Sequence, residues 1–139
     1  MKYKIVLSPG AVESYRGIPF EERSDFRKFV DTRLTSDPET IDDLTINDIA
    51  GVHGVKFDLS TGEVRIFYDV VGPSIEILSI LLSGIHTSAG IVIAVKGTPI
   101  ATIAKARIWE PISELKNKIE DARSRIKAGE GLLLSDLPL

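Results

Sequence analysis

Between Gly54 and Leu82 apolar residues recur at every second position in three successive runs, with a turn signal between each run and the next. Val55, Phe57 and Leu59 alternate with Lys56 and Asp58. Ser60-Thr61-Gly62 then forms a turn, and Glu63 to Val71 alternates again, with Val64, Ile66, Tyr68 and Val70 on one face and Arg65, Phe67 and Asp69 on the other. After Gly72-Pro73-Ser74, a last run sets Ile75, Ile77, Ser79 and Leu81 on one face and Glu76, Leu78, Ile80 and Leu82 on the other. A period of two is the period of a strand, and turns this short join antiparallel neighbours. The stretch therefore reads as a three-stranded meander. A meander needs a cover for its apolar face, and that requirement fixes what the flanking segments have to supply.

The preceding residues supply it. Tyr3 to Leu7 alternates as a short strand, and Ser8-Pro9 is a helix start: a Ser N-cap followed by Pro, whose missing N–H costs nothing in the first turn. This helix runs to about Tyr15 and stops at Gly17. A second opens at Pro19, carries Glu21, Glu22 and Asp25 where the helix dipole favours acids, and ends at Asp37-Pro38. Phe26, Phe29, Val30 and Leu34 give it one apolar face, and Phe20, Phe26 and Phe29 read as core anchors. Residues 37–53 read as loop or weak helix. The order β-α-α-β-β-β defines an α+β class with helices over an antiparallel meander.

The pattern restarts after Gly84. IHTSAG is a linker, Ile91 to Val95 a strand, Lys96 to Pro99 a turn and Ile100 to Ala104 a second strand. Pro111 then opens a helix whose Ile112, Leu115, Ile119 and Ile126 form a stripe, with Glu114 one turn before Lys118 and Gly129 and Gly131 at its end. The tail LLLSDLPL has five leucines in eight residues and no visible partner in its own part, so it is either docked or a liability. The expected division is thus residues 1–84 and residues 85–139. Charge gives it physical sense. The first part holds nine Lys and Arg against fourteen Asp and Glu, the second eight against six, so the two should attract. The acidic first part is a poor non-specific nucleic-acid binder, which needs cations on phosphates. With no cysteine there is no disulfide framework or thiolate nucleophile, which fits a reducing cytosol. The N-terminal apolar stretch is too short for a signal peptide, and no run reaches membrane-spanning length.

Two stretches of the first part, KYKIVLSPGAVES and GVKFDLSTGEVRIFYDVVGPSIEILSILL, resemble the RelE/ParE superfamily of bacterial toxins over residues 2–82. In the second part IVIAVKGTPIATIAKARIWEPI resembles the central hairpin of Phd/YefM antitoxins, and RIKAGEGLLLSDLPL resembles their end, over about residues 90–139. The region that precedes the hairpin in that family, and supplies part of its DNA-binding and dimerising fold, is absent. The resemblance implies a toxin–antitoxin system protein of the cytoplasm, with an mRNA-cleaving module held inactive by an antitoxin-like segment. It also leaves open a catalytically silent interaction protein or a ParE-like gyrase inhibitor.

Ribosome-dependent endoribonucleases of this kind need cations around the scissile phosphate and a group that activates the RNA 2′-OH. The resemblance places Arg65 at the family's meander arginine, where a guanidinium suits bidentate phosphate contact; the alternative is a strand arginine paired with a neighbouring acid. Lys56, on a polar-facing position of the preceding strand, is a second candidate phosphate contact. His86 follows the last strand where some members carry a catalytic His or Tyr, although the expected neighbouring Arg and Tyr are missing from LLSGIHTSAG. His53 is a weaker candidate beside the acidic stretch DDLTINDIAG, and Tyr68 reads as core. No metal-ligand spacing and no phosphate-binding glycine loop is present, so no cofactor is expected. Expected partners are a cognate antitoxin or the chain's own C-terminal segment, the ribosome and mRNA, and a second copy through the 91–104 hairpin.

Overall fold

The computed structural model describes residues 3–41, 51–59, 62–82 and 112–137, without the side chains of residues 112–114. Strand β1 (Lys4–Leu7) leads into helices α1 (Pro9–Arg16) and α2 (Phe20–Phe29), and α2 continues as one wide π-helical turn, Val30–Leu34. Strands β2 (His53–Leu59), β3 (Gly62–Val71) and β4 (Ser74–Leu82) follow, then helix α3 (Ile112–Lys127), strand β5 (Leu132–Leu133) and a 3₁₀ turn, Leu134–Asp136. The described strands form one five-stranded sheet in the order β2-β3-β4-β1-β5. The meander pairs antiparallel as its turns require, β1 lies parallel to β4, and β5 lies antiparallel to β1.

Helices α1 and α2 cover one face of the sheet. Val55, Val64, Ile66, Tyr68, Ile75 and Ile77 from the strands meet Ala11, Val12, Tyr15, Phe26, Val30 and Leu34 from the helices in one cluster. An aromatic row crosses this core: Tyr15 meets Phe26 edge-on at 5.5 Å, and Phe57 stacks on Phe29 at 3.9 Å. Such offset and edge contacts add to area burial by about 0.5–1.5 kcal/mol per pair. Tyr68, read as core, is fully buried, and its hydroxyl donates to the Pro38 carbonyl at 2.7 Å. Phe20 corrects the expectation of three core phenylalanines. It is 66% exposed. It opens α2 before the helix has turned its apolar stripe inward, and it lies beside the Arg23 guanidinium instead.

The last strand also departs from simple alternation. Tyr68 pairs with Ile77 and Phe67 pairs with Ser79, so Leu78 is an extra residue, a β-bulge. The bulge inverts the parity of the residues beyond it. Ile75 and Ile77 face the α1–α2 core, but so do Ile80 and Leu82, while Leu78 and Leu81 face the other way. Ser8 is built against this bulge. Its hydroxyl accepts from the Ala11 amide at 3.1 Å, capping α1, and donates to the Leu78 carbonyl at 3.0 Å. A single buried side chain thus ends β1, starts α1 and satisfies the carbonyl that the bulge frees.

Helix α3 covers the second face. Leu115, Ile119 and Ala122 pack on Phe67 and Leu78, with Ile126, Val52 and Leu81 around them. Burying a leucine or isoleucine side chain in this way contributes about 1.5–3 kcal/mol. Gly129 ends the helix at φ +86°, a left-handed conformation that glycine adopts without strain. Gly131 then lets the backbone pass β1 closely, since a Cβ there would lie 2.7 Å from the Val6 side chain. The apolar tail is docked as far as Leu137: Leu133 pairs with Val6, Leu134 and Leu137 are buried in the α1–α2 core, and Arg27 donates to the Leu137 carbonyl. The 91–104 hairpin and the linker before it lie outside the described residues.

Candidate functional site

Strict alternation along β2 and β3 sends Lys56 and Arg65 to the α3-bearing face, and the register makes them direct cross-strand partners. Arg65 in turn lies opposite Leu81 on β4. Two of the three candidate residues are therefore brought together. His86 lies outside the described residues. His53, the first residue of β2, is on the opposite face, stacked on Tyr68 with ring centroids 5.4 Å apart.

One step along the ladder, Asp58 faces Glu63. Two cations and two acids thus share this end of the face, and the Arg65 Nε donates to Glu63 Oε2 at 3.1 Å. Both side chains are a little over one quarter exposed, at 29% and 28%. Lys56 is exposed and Arg65 half-buried. The register sets a guanidinium beside an ammonium, two groups whose chemistry suits phosphate contact. The local charge is balanced by the acids rather than strongly positive.

At the other end of the face, Asp69 and Glu76 are cross-strand partners. Like charges placed directly opposite repel. Helix α3 answers this with Arg123, whose guanidinium donates to Asp69 Oδ2 at 3.0 Å. Burial, followed by the Asp69 charge, pushes the Glu76 carboxyl above its ordinary value, and Arg123 and Lys127 work in the opposite direction. Asp69, Glu76 and Arg123 form the electrostatic part of the α3 seat, and sequence reading did not single them out. The opposite net charges of the two halves of the chain were the available signal, but they name no residue.

A groove of about 730 Å³ runs beside this seat, between α1 and α3 over the end of β4. Among the described residues, no group of His, Cys, Asp and Glu could hold a metal ion, and no helix is long and apolar enough to cross a membrane.

These features define an α+β protein whose five-stranded sheet carries α1 and α2 on one face and α3 on the other. No family model matches the chain, and no curated protein matches it. Similar solved structures include a mutant of the E. coli toxin RelE in the free state, with 16% identity and a TM-score of 0.47, spanning 78% of this chain and 100% of that one. They also include the toxin–antitoxin complex RelBE2 from Mycobacterium tuberculosis, with 16% identity and a TM-score of 0.45, spanning 58% of this chain and 96% of that one.

Proposed function

We propose that this chain is a toxin–antitoxin system protein: a RelE-like mRNA-cleaving module, residues 1–84, held inactive in cis by an antitoxin-like segment, residues 85–139. The observation that supports it best is the position of α3, seated on the same sheet face that carries Lys56 and Arg65. The antitoxin-like residue pattern of the C-terminal segment supports it independently. In this reading Arg65 and Lys56 contact the RNA phosphate, His86 takes part in proton transfer, no cofactor is needed, and the ribosome with its mRNA is the target in the cytoplasm. A cognate antitoxin would compete for the seat that α3 fills, and the 91–104 hairpin would join two copies.

The test is release of α3 within the full chain. Ile119→Asp places a carboxylate in a fully buried position and Arg123→Glu sets a third acid beside Asp69 and Glu76, so both should lift the helix. The expected result is ribosome-dependent mRNA cleavage by the released variants, none by the parent chain, and none after Arg65→Ala is added. Released variants that keep the circular-dichroism signature of the sheet yet cleave nothing would refute the reading.

One observation favours a second reading. Arg65 is ion-paired with Glu63 and stands in a charge-balanced quartet rather than a basic groove. A catalytically silent interaction protein, or a ParE-like gyrase inhibitor, fits that arrangement. In either case Arg65→Ala leaves any growth phenotype intact, and a supercoiling assay separates the two.

A further inference from the structure

Strand β1 accompanies β4 only from Ser74 to Ile77. There the chain turns away into α1, so from Leu78 onward β4 has no strand on that side among the described residues. The groove between α1 and α3 opens at this place. Its volume, about 730 Å³, lies within the range of small-molecule sites.

Three features of its wall point to an oxygen-rich ligand. First, the N-terminal end of α1 faces it: the Ser8 hydroxyl takes the Ala11 amide and the Ser8 carbonyl takes the Val12 amide, which leaves the Gly10 amide at the positive end of the helix. Nothing lies within 4 Å of where a Gly10 Cβ would stand, so the approach is open. Second, Ser79 lines the groove with only 8% of its surface exposed and makes no side-chain hydrogen bond among the described residues. A buried hydroxyl without a partner is costly and uncommon in a folded protein. Third, the two acids on the walls are already engaged by arginines, Glu13 by Arg16 and Asp121 by Arg125. The floor between these groups is aliphatic, from Leu78, Ile80, Leu81 and Leu82 of β4.

We propose that this groove is a binding site for a small molecule that carries an oxyanion, carboxylate or phosphate, on an apolar body. The Gly10 amide and the Ser79 hydroxyl donate to the oxyanion, and the apolar body lies along the aliphatic floor. The site is independent of the toxin reading, since none of these residues belongs to the Lys56–Arg65 pair.

The test is a titration of the full ¹⁵N-labelled chain with phenyl phosphate and, separately, inorganic phosphate. Phenyl phosphate should move the Gly10 amide resonance saturably and raise the Tm, and inorganic phosphate should bind at least about tenfold more weakly. Gly10→Asp sets a negative charge beside the amide that would receive the oxyanion, while an acid in the first turn supports the helix. It should weaken phenyl phosphate at least about tenfold without loss of fold. Ser79→Ala should weaken binding similarly and leave the Tm of the free protein unchanged or raised, because the hydroxyl it removes has no partner among the described residues. No saturable movement at Gly10, unaltered binding by both variants, or a lowered Tm for free Ser79→Ala would each overturn the proposal. Equal binding of inorganic phosphate would overturn its apolar part.

Discussion

Replacing Ser8 by Ala should cost this protein more than the loss of an ordinary helix cap. The side chain is 1% exposed and makes two bonds, 3.1 Å from the Ala11 amide and 3.0 Å to the Leu78 carbonyl. Loss of the cap costs about 1 kcal/mol. The Leu78 carbonyl, displaced from the ladder by the bulge, would then be buried without its partner, at a further cost of about 1–3 kcal/mol. The expected loss is about 2–4 kcal/mol, a large share of the roughly 5–15 kcal/mol typical of a folded domain. Urea unfolding followed by circular dichroism reads this as a lower midpoint with an unchanged slope. Ser8→Asp separates the two bonds, because a carboxylate still accepts from the Ala11 amide but gives nothing to the carbonyl. It should recover the cap and none of the bulge contribution. If Ser8→Asp is as stable as the parent while Ser8→Ala loses no more than about 1 kcal/mol, the hydroxyl is only a cap and the reasoning about the bulge is wrong.

Glu76 gives a pH signature. Its carboxyl is raised in the folded state above the ordinary 4.5, so the folded chain holds that proton more tightly than the unfolded chain does. Its contribution to stability is therefore full below about pH 4.5 and is lost as pH rises through the raised value. Glu76→Gln should be close to the parent in acid and more stable than it at neutral pH, by thermal melts across that range; a gap that is largest in acid would contradict the assignment. Gly131→Ala should lose about 1–3 kcal/mol, since its Cβ would lie 2.7 Å from Val6 Cγ1. The loss should appear as faster hydrogen exchange at Val6 and Leu7, and unchanged exchange there would show that the tail does not rely on this close passage.

The meander was legible because Val55, Phe57 and Leu59, then Val64, Ile66 and Tyr68, alternate cleanly with polar residues, and a clean period of two has one reading. The bulge was not. From Leu78 to Leu82 both parities are apolar apart from Ser79, so hydrophobicity carries no phase once helices cover both faces of the strand. Lys56 and Arg65 could be placed together because each sits opposite core residues in its own strand. The Glu63 partner of Arg65 was also within reach, since residues two apart in a strand share a face. The seat of α3 was half legible. The stripe through Leu115 and Ile119 names the buried side of a helix, but an amphipathic pattern does not say which surface it meets. Phe20 misled for a related reason: an aromatic residue at the first position of a helix precedes the turn that would carry it inward.

The pairing of Val6 with Leu133 joins the two ends of the chain and so gives the fold an order in time. The sheet face and the outer edge of β1 exist as soon as β4 is made, while their covers come from residues 112–137. At about 5–20 residues per second, the fifty residues from Leu82 to Leu132 take about 3–10 s to synthesise. For that interval the β1 edge and the α3 seat lack the covers that β5 and α3 later supply. A separate protein able to occupy them meets its best opportunity on the nascent chain, before the molecule closes on itself.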